Sequence, residues 1–252
     1  MKLFFVKVGN RRALRTILSL ILTKIKSMAF FQPDFIQFFI DLAPNNHKAW
    51  FDEHRQRYEQ MVKQPFADFV GQMINRMASI DPRYNELEPK DCVFRINRDV
   101  RFSKDKSPYK MMCSAVIAPG GKKSKAIDGF YMELGPEHVR VYGGVYEADK
   151  PAIEQIRFGI AERLEEFQQL YQSEEFNSVY GQILGDKHKR LPKELHAFAE
   201  KEQLLYNKQW YFYTEFEPDV LLQDDLDELI LKCYLAGRDV QQFMSTCIHS
   251  TL

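Results

Sequence analysis

Apolar residues recur at helical spacing through the first third of the chain and alternate with polar ones in the middle. Phe35, Ile36, Phe38, Phe39 and Leu42 predict a helix across Phe30–Leu42, with Pro33 in its first turn. Pro44-Asn45-Asn46 stops it, and either asparagine suits the cap of a second helix. That helix runs from His47 to about Lys63 and carries Trp50, Phe51, Tyr58 and Met61. Pro65 restarts a third, whose stripe of Phe66, Phe69, Val70, Met73, Ile74 and Met77 lasts until Asp81-Pro82. The pattern then switches to period two. Cys92–Phe102 is the first strand candidate, with Phe94, Ile96, Arg98, Val100 and Phe102 on one face and Arg95, Asn97, Asp99 and Arg101 on the other. Met112–Ala118 is a second strand. Gly129–Leu134 and His138–Val145 flank Gly135-Pro136 as a hairpin, and Gly143-Gly144 signals a bulge or a close backbone approach.

Helices return after Asp149, a cap for a helix with Pro151 in its first turn and Ile153, Ile156, Ile160, Leu164 and Phe167 facing inward. A short helix over Glu174–Leu184 and a basic loop, Gly185-Asp186-Lys187-His188-Lys189-Arg190-Leu191-Pro192, follow. Gln209–Phe216 reads as a strand ended by Pro218. Two closing helices carry Leu222, Leu226, Leu229, Ile230 and Cys233, then Val240, Phe243, Met244 and Cys247. The fold class is therefore α+β: an antiparallel sheet of about five strands flanked by N-terminal and C-terminal helices, forming a single domain over 28–252.

Charge separates the first residues from the rest. Residues 1–27 hold seven of the 35 Lys and Arg and no acid, so the remainder carries 28 basic against 35 acidic side chains, a net of −7. Leu14, Ile17, Leu18, Ile21 and Ile25 recur at helical spacing there, the pattern of a basic amphipathic helix that can make weak contact with an anionic membrane surface. The segment lacks the apolar run of a signal peptide and is too short to span a bilayer. The alternative is that Met28 is the true start. An acidic body makes generic nucleic-acid binding unexpected, so any anion site is local. The scattered Cys92, Cys113, Cys233 and Cys247 form no metal or disulfide pattern and fit a reducing, cytoplasmic compartment. Nothing in the sequence specifies a cofactor or an oligomeric state.

The densest chemistry lies in Arg95–Lys110, where six cations, Asp99, Asp105, two serines and Tyr109 share sixteen residues. Arg95, Arg98, Arg101 and Lys110 are the candidates to hold an anion, because guanidinium offers planar paired donors and ammonium a point charge. Arg95 and Arg101 would lie about 20 Å apart on a straight strand, too far to grip one small phosphate without a bend. Arg98 falls on the apolar face and requires a carboxylate or a ligand anion beside it. Asp99, Asp105, Lys106 and Tyr109 are the catalytic candidates: a base or metal ligand, a charge stabiliser and a proton donor. The structural alternative has Asp99 and Asp105 neutralising Arg98 and Lys106. Elsewhere the signals fail. Gly120-Gly121-Lys122-Lys123 is a basic hairpin tip and not a P-loop, since Val116 stands where the first glycine belongs. His47 and His54 are too far apart along a helix to share a metal, and no metal site is expected.

With its gaps, the stretch reads R-x-x-R-D-x-R-F-x-x-D-K-x-x-Y-K and resembles the signature of domain-of-unknown-function family 2461, a mainly bacterial family. The resemblance extends to Asn45-Asn46 with Trp50-Phe51, to Glu88-Pro89-Lys90-Asp91-Cys92 and to Pro119-Gly120-Gly121-Lys122-Lys123-Ser124, covering roughly Phe30 to Leu191. Residues 1–27 lie outside it, and Lys193–Lys208 departs from the family's Asp-His-Pro-containing segment. The resemblance implies no reaction. The residues favour a protein that binds a phosphorylated or other anionic small ligand; the alternatives are a hydrolase or transferase using the same residues, and a protein-interaction module with a purely structural ion-pair network.

Overall fold

The computed structural model describes residues 29–123 and 128–249. The basic extension 1–27, and Ser124 and Lys125 of the hairpin tip, lie outside them. The first helix, α1, is Pro33–Leu42, with Phe35, Phe38, Phe39 and Leu42 buried. The next is broken where one helix is predicted: α2 (Lys48–Glu53), α3 (Arg55–Tyr58) and a π-helical turn over Glu59–Lys63. His47 caps α2, its side chain accepting from the Trp50 amide, so neither Asn45 nor Asn46 takes that role. Helix α4, Gln64–Ile80, buries the whole predicted stripe from Phe66 to Met77 and stops at Asp81. A short turn, α5, spans Pro89–Cys92.

The sheet has four antiparallel strands in sequence order, one fewer than predicted: β1 (Cys113–Ile117), β2 (Phe130–Leu134), β3 (Val139–Val145) and β4 (Trp210–Phe216). Its register pairs Cys113 with Leu134, Leu134 with Val139, and Val139 with Phe216. On the inner face Cys113, Ala115, Ile117, Phe130, Met132, Leu134, Val139 and Val141 are buried. Between β3 and β4 run α6 (Lys150–Glu162), capped by Asp149, then α7 (Leu164–Tyr171) and α8 (Glu174–Val179). The last ends five residues earlier than predicted, at the positive-φ Gly181 region. The turn α9, His196–Ala199, leads back toward β4.

The two closing helices are one, α10, Leu226–His249. Gly237 does not break it. A Cβ there would sit 2.4 Å from Phe212 Cε2, and Gly143 would meet the same ring from the sheet at 2.5 Å. Phe212 fills the slot the two glycines leave between α10 and β3. Asp227, at the start of α10, is buried and receives Arg76 Nε at 2.5 Å.

Cys92–Phe102, predicted as the first strand, is not one. Val93 bridges Ala115, and Phe94 N–H donates to Ser114 O at 3.0 Å. Farther out, Lys110 N–H donates to Ile96 O at 2.8 Å, and Asn97 bridges Tyr109. Two steps along one side, Phe94 to Ile96, therefore match four on the other, Lys110 to Ser114. Met111 and Met112 are the surplus, and they interrupt the ladder. At the far side of the sheet, Leu184 exchanges backbone hydrogen bonds with Tyr211 at 2.7 and 3.2 Å. No helix among the described residues is long and apolar enough to cross a membrane.

Candidate functional site

Residues 93–112 leave α5, project beyond the sheet and return to β1. Side-chain alternation follows the predicted faces although the ladder is irregular. Phe94, Ile96, Arg98 and Val100 are half-buried, while Arg95, Asn97, Asp99 and Arg101 are exposed. Phe102 departs from the pattern and is 95% exposed at the tip.

The tip is held by internal pairs. Arg98, the cation on the apolar face, finds a carboxylate: its Nη1 donates to Asp105 Oδ2 and to Ser107 O at 3.1 Å. Asp105 Oδ1 also accepts from the Ser107 amide at 2.9 Å and hydroxyl at 2.7 Å. These donors, Ser107 before Arg98, hold the Asp105 carboxyl well below the usual range. Arg101 grips Asp99 through Nε and Nη2 at 3.0 and 2.7 Å, and that hydrogen bonding lowers Asp99 in turn. Lys106 Nζ donates to Val100 O at 3.0 Å. The pairing thus differs from the expected one, in which Asp99 and Asp105 serve Arg98 and Lys106. Exposed pairs contribute little in water. Accordingly, Arg101→Ala leaves the melting temperature of the ligand-free protein unchanged, while Arg98→Ala, which orphans the Ser107 carbonyl, lowers it; thermal denaturation of the two variants checks this.

The base of the excursion is clamped from α1–α2. Asn46 Nδ2 donates to Tyr109 O at 3.0 Å, and Tyr109 N–H donates to Asn46 Oδ1 at 3.1 Å. The amide side chain thereby acts as one rung of a ladder across 63 residues. It sets the Tyr109 ring parallel to Phe51, with centroids 4.1 Å apart. Lys122 anchors the other side, donating from Nζ to Lys90 O at 2.6 Å and Val93 O at 2.9 Å. The hairpin-tip lysine is therefore engaged with the body of the protein.

Three cations, Arg95, Lys104 and Lys110, stay outside these pairs, and Lys104 is exposed at the tip. Arg95 is exposed and Lys110 half-buried, and neither has a carboxylate within ion-pair distance among the described residues. Lys110 Nζ lies 5.4 Å from the Phe94 ring centroid. Burial first, then the charge of Arg95, pushes the Lys110 ammonium below its usual pKa.

Lys110 borders the outer face of the sheet, which the register fills with tyrosines and charges. Tyr131, Tyr142 and Tyr213 stand on adjacent strands with ring centroids 5.5 and 5.1 Å apart, and Phe94 meets Tyr131 edge-on at 6.1 Å. One step along, Glu133, Arg140 and Glu215 form a charged row. Glu133 is the hub. Its side chain is 12% exposed; it accepts from Tyr131 Oη at 2.8 Å and Tyr142 Oη at 3.4 Å, and His138 Nε2 lies 3.3 Å away. Burial, with Glu133 adding to it, raises the phenol pKa of both Tyr131 and Tyr142, so both remain donors at neutral pH.

The family described as conserved hypothetical protein DUF2461 matches residues 34–243. That span holds α1 from Asp34 onward, all four strands and most of α10. The chain belongs to the DUF2461 family. Among curated proteins none matches.

Within the DUF2461 span, the eight residues singled out from sequence divide into three groups. Arg98 with Asp105, and Arg101 with Asp99, are tied to one another. Tyr109 is a packing residue at the base, and Lys106 ties down the tip. Arg95 and Lys110 are the two charged residues of the eight whose side chains make neither a hydrogen bond nor an ion pair among the described residues. Glu133, His138, Tyr131, Tyr142 and Arg140 escaped the sequence reading. The alternation Tyr131-x-Glu133 and His138-x-Arg140-x-Tyr142 carried the signal, but only the register of β2 against β3 brings them to one point.

Proposed function

We propose that this protein binds a small anionic ligand, phosphorylated or carboxylated, where Lys110 and Arg95 border the tyrosine face of the sheet. One observation carries the reading: Lys110 is a half-buried ammonium with no carboxylate partner among the described residues, opposed by a neighbouring guanidinium. Both burial and like charge disfavour the protonated amine, and the opposite charge of a bound anion offsets both. Phe94 and the Tyr131–Tyr142 pair supply an apolar floor, and the hydrogen bonds converging on Glu133 hold that floor in place. Arg98 and Arg101 would have to leave Asp105 and Asp99 to reach a ligand, so they serve to shape the excursion. The hydrolase or transferase reading is less well supported, because hydrogen bonding that lowers the pKa of Asp99 and Asp105 makes both weak bases.

The test is a thermal melt against phosphate, pyrophosphate, nucleotides, sugar phosphates and dicarboxylates, each with and without Mg²⁺. A ligand at about a hundred times its dissociation constant stabilises by roughly 2.7 kcal/mol, a shift of several degrees at this size. Lys110→Met and Arg95→Ala fold normally and lose the shift. A shift retained in both variants, or a flat panel, refutes the reading. The pH dependence has a definite sign. Lys110 has a lowered pKa in the folded free protein, so the folded state binds fewer protons than the unfolded one, and stability rises with pH through the interval from the folded to the unfolded value. The ligand selects protonated Lys110, so affinity falls as the pH rises through the lowered pKa of Lys110 in the free folded protein.

A further inference from the structure

Arg157, on α6, is the one buried Lys or Arg among the described residues, at 5% exposure. Its Nη2 donates to the carbonyls of Tyr206 at 3.3 Å and Asn207 at 2.7 Å. Nε is sealed and unpartnered. Nη1 makes no hydrogen bond among the described residues, yet it is not one of the sealed atoms, so solvent can reach it. No carboxylate lies within ion-pair distance; Glu154 acts on it only at longer range. Buried Asp227, by contrast, is directly paired with Arg76. A guanidinium buried without a counter-charge is costly, and two carbonyl acceptors neutralise none of its charge. A water bridging Nε and the equally sealed Asn207 Oδ1 would satisfy those two atoms and still leave the charge and Nη1.

More positive charge gathers on the same spot. The His188 amide donates to Tyr206 O, the carbonyl that Arg157 also uses, at 2.7 Å. Lys208 follows Asn207, and its amide donates to Asp186 O at 2.7 Å. Lys187, Lys189, Arg190 and Lys208 are exposed and have no ion pair among the described residues. The His188 imidazole is half-buried and pushed below its usual pKa by burial, then by Arg157 and Lys208. These residues line the β4 side of the sheet, whereas Lys110 lies on the β1 side, so this cluster is independent of the proposed ligand corner.

We propose that Arg157, His188 and Lys208 form a second anion site, which takes a phosphate group. Two cations and a protonatable imidazole, from α6, the turn before β4 and the basic loop, suit a tetrahedral dianion better than a planar carboxylate, which one guanidinium already matches. Nη1 supplies the accessible guanidinium donor, Lys208 the point charge, and His188 a proton that the dianion stabilises.

The experiment follows the His188 imidazole by NMR in the full chain, in inorganic phosphate and in chloride at matched ionic strength, with His188→Gln to assign the signal. Phosphate raises the His188 pKa by about one unit over chloride, as an opposite charge at contact does. Lys208→Ala weakens phosphate binding about tenfold and removes most of that rise; Arg157→Lys, which keeps charge but loses the fork, does the same if it folds. A His188 pKa identical in the two salts overturns the proposal. So does phosphate stabilisation that survives Lys208→Ala and disappears in Lys110→Met, which assigns the anion to the other side of the sheet.

Discussion

Gly144→Ala lowers the unfolding free energy by about 2–5 kcal/mol. Two costs combine. Gly144 has φ +87°, a left-handed backbone that costs an alanine about 1–2 kcal/mol. The new Cβ would also lie 2.2 Å from Trp210 O and 3.0 Å from Tyr211 Cα, both main-chain atoms of the next strand. They cannot swing aside as a side chain could, so β3 and β4 must separate, an overpacking cost of about 1–3 kcal/mol. Chemical denaturation gives the value, and an unchanged m-value shows that the unfolded reference is the same. A loss below about 0.5 kcal/mol would mean that the β3–β4 contact is looser than described.

Tyr109→Ala has a comparable effect for a different reason. The ring is 6% exposed and stacked on Phe51, and truncating a buried aromatic costs about 3–5 kcal/mol. Tyr109→Phe is expected to be nearly neutral, since the hydroxyl makes no hydrogen bond among the described residues. Asn46→Ala leaves the Tyr109 amide and carbonyl unpaired and costs about 1–3 kcal/mol. Because Asn46 orients the very backbone that carries the ring, the two losses are not additive, and a double-mutant cycle measures the coupling. The pair also separates packing from chemistry: Tyr109→Phe that melts like wild type but abolishes a measured turnover restores the phenol as a proton donor.

Much of the fold is legible in the sequence because local pattern and tertiary environment agree there. The stripe from Phe66 to Met77 is entirely buried, and the hairpin at Gly135-Pro136 forms as the alternation requires. Gly143-Gly144 announces the close approach that Phe212 and Trp210 make. The failures have physical causes. Phe94–Arg101 alternates as expected, but strand formation also depends on the partner, and Met111-Met112 put two surplus residues there. The break expected between Cys233 and Val240 does not occur: the space vacated by the missing Cβ of Gly237 is filled by Phe212, and packing outweighs propensity. In the candidate site, Arg98 on the apolar face does reveal its need for a carboxylate. That the carboxylate is Asp105 depends on the turn at Ser107. The Glu133 hub depends on strand register, and the Asn46–Tyr109 clamp on a contact across 63 residues, neither of which a local pattern encodes.

Both margins of the sheet are occupied by stretches that are not themselves strands: Val93-Phe94 beside β1, and Leu184 beside β4. A bare margin is a template on which another copy of the chain can add its own backbone, and self-association then competes with solubility. Here each margin is closed by a short, irregular segment with few ladder bonds, the kind that opens locally long before the whole protein unfolds. The two segments are also those that carry the charge clusters, one leading to Lys110 and the other to His188. Were the proposed anions bound at either cluster, they would also keep the adjoining margin shut, and in concentrated solution loss of that ligand and the onset of aggregation would be linked events.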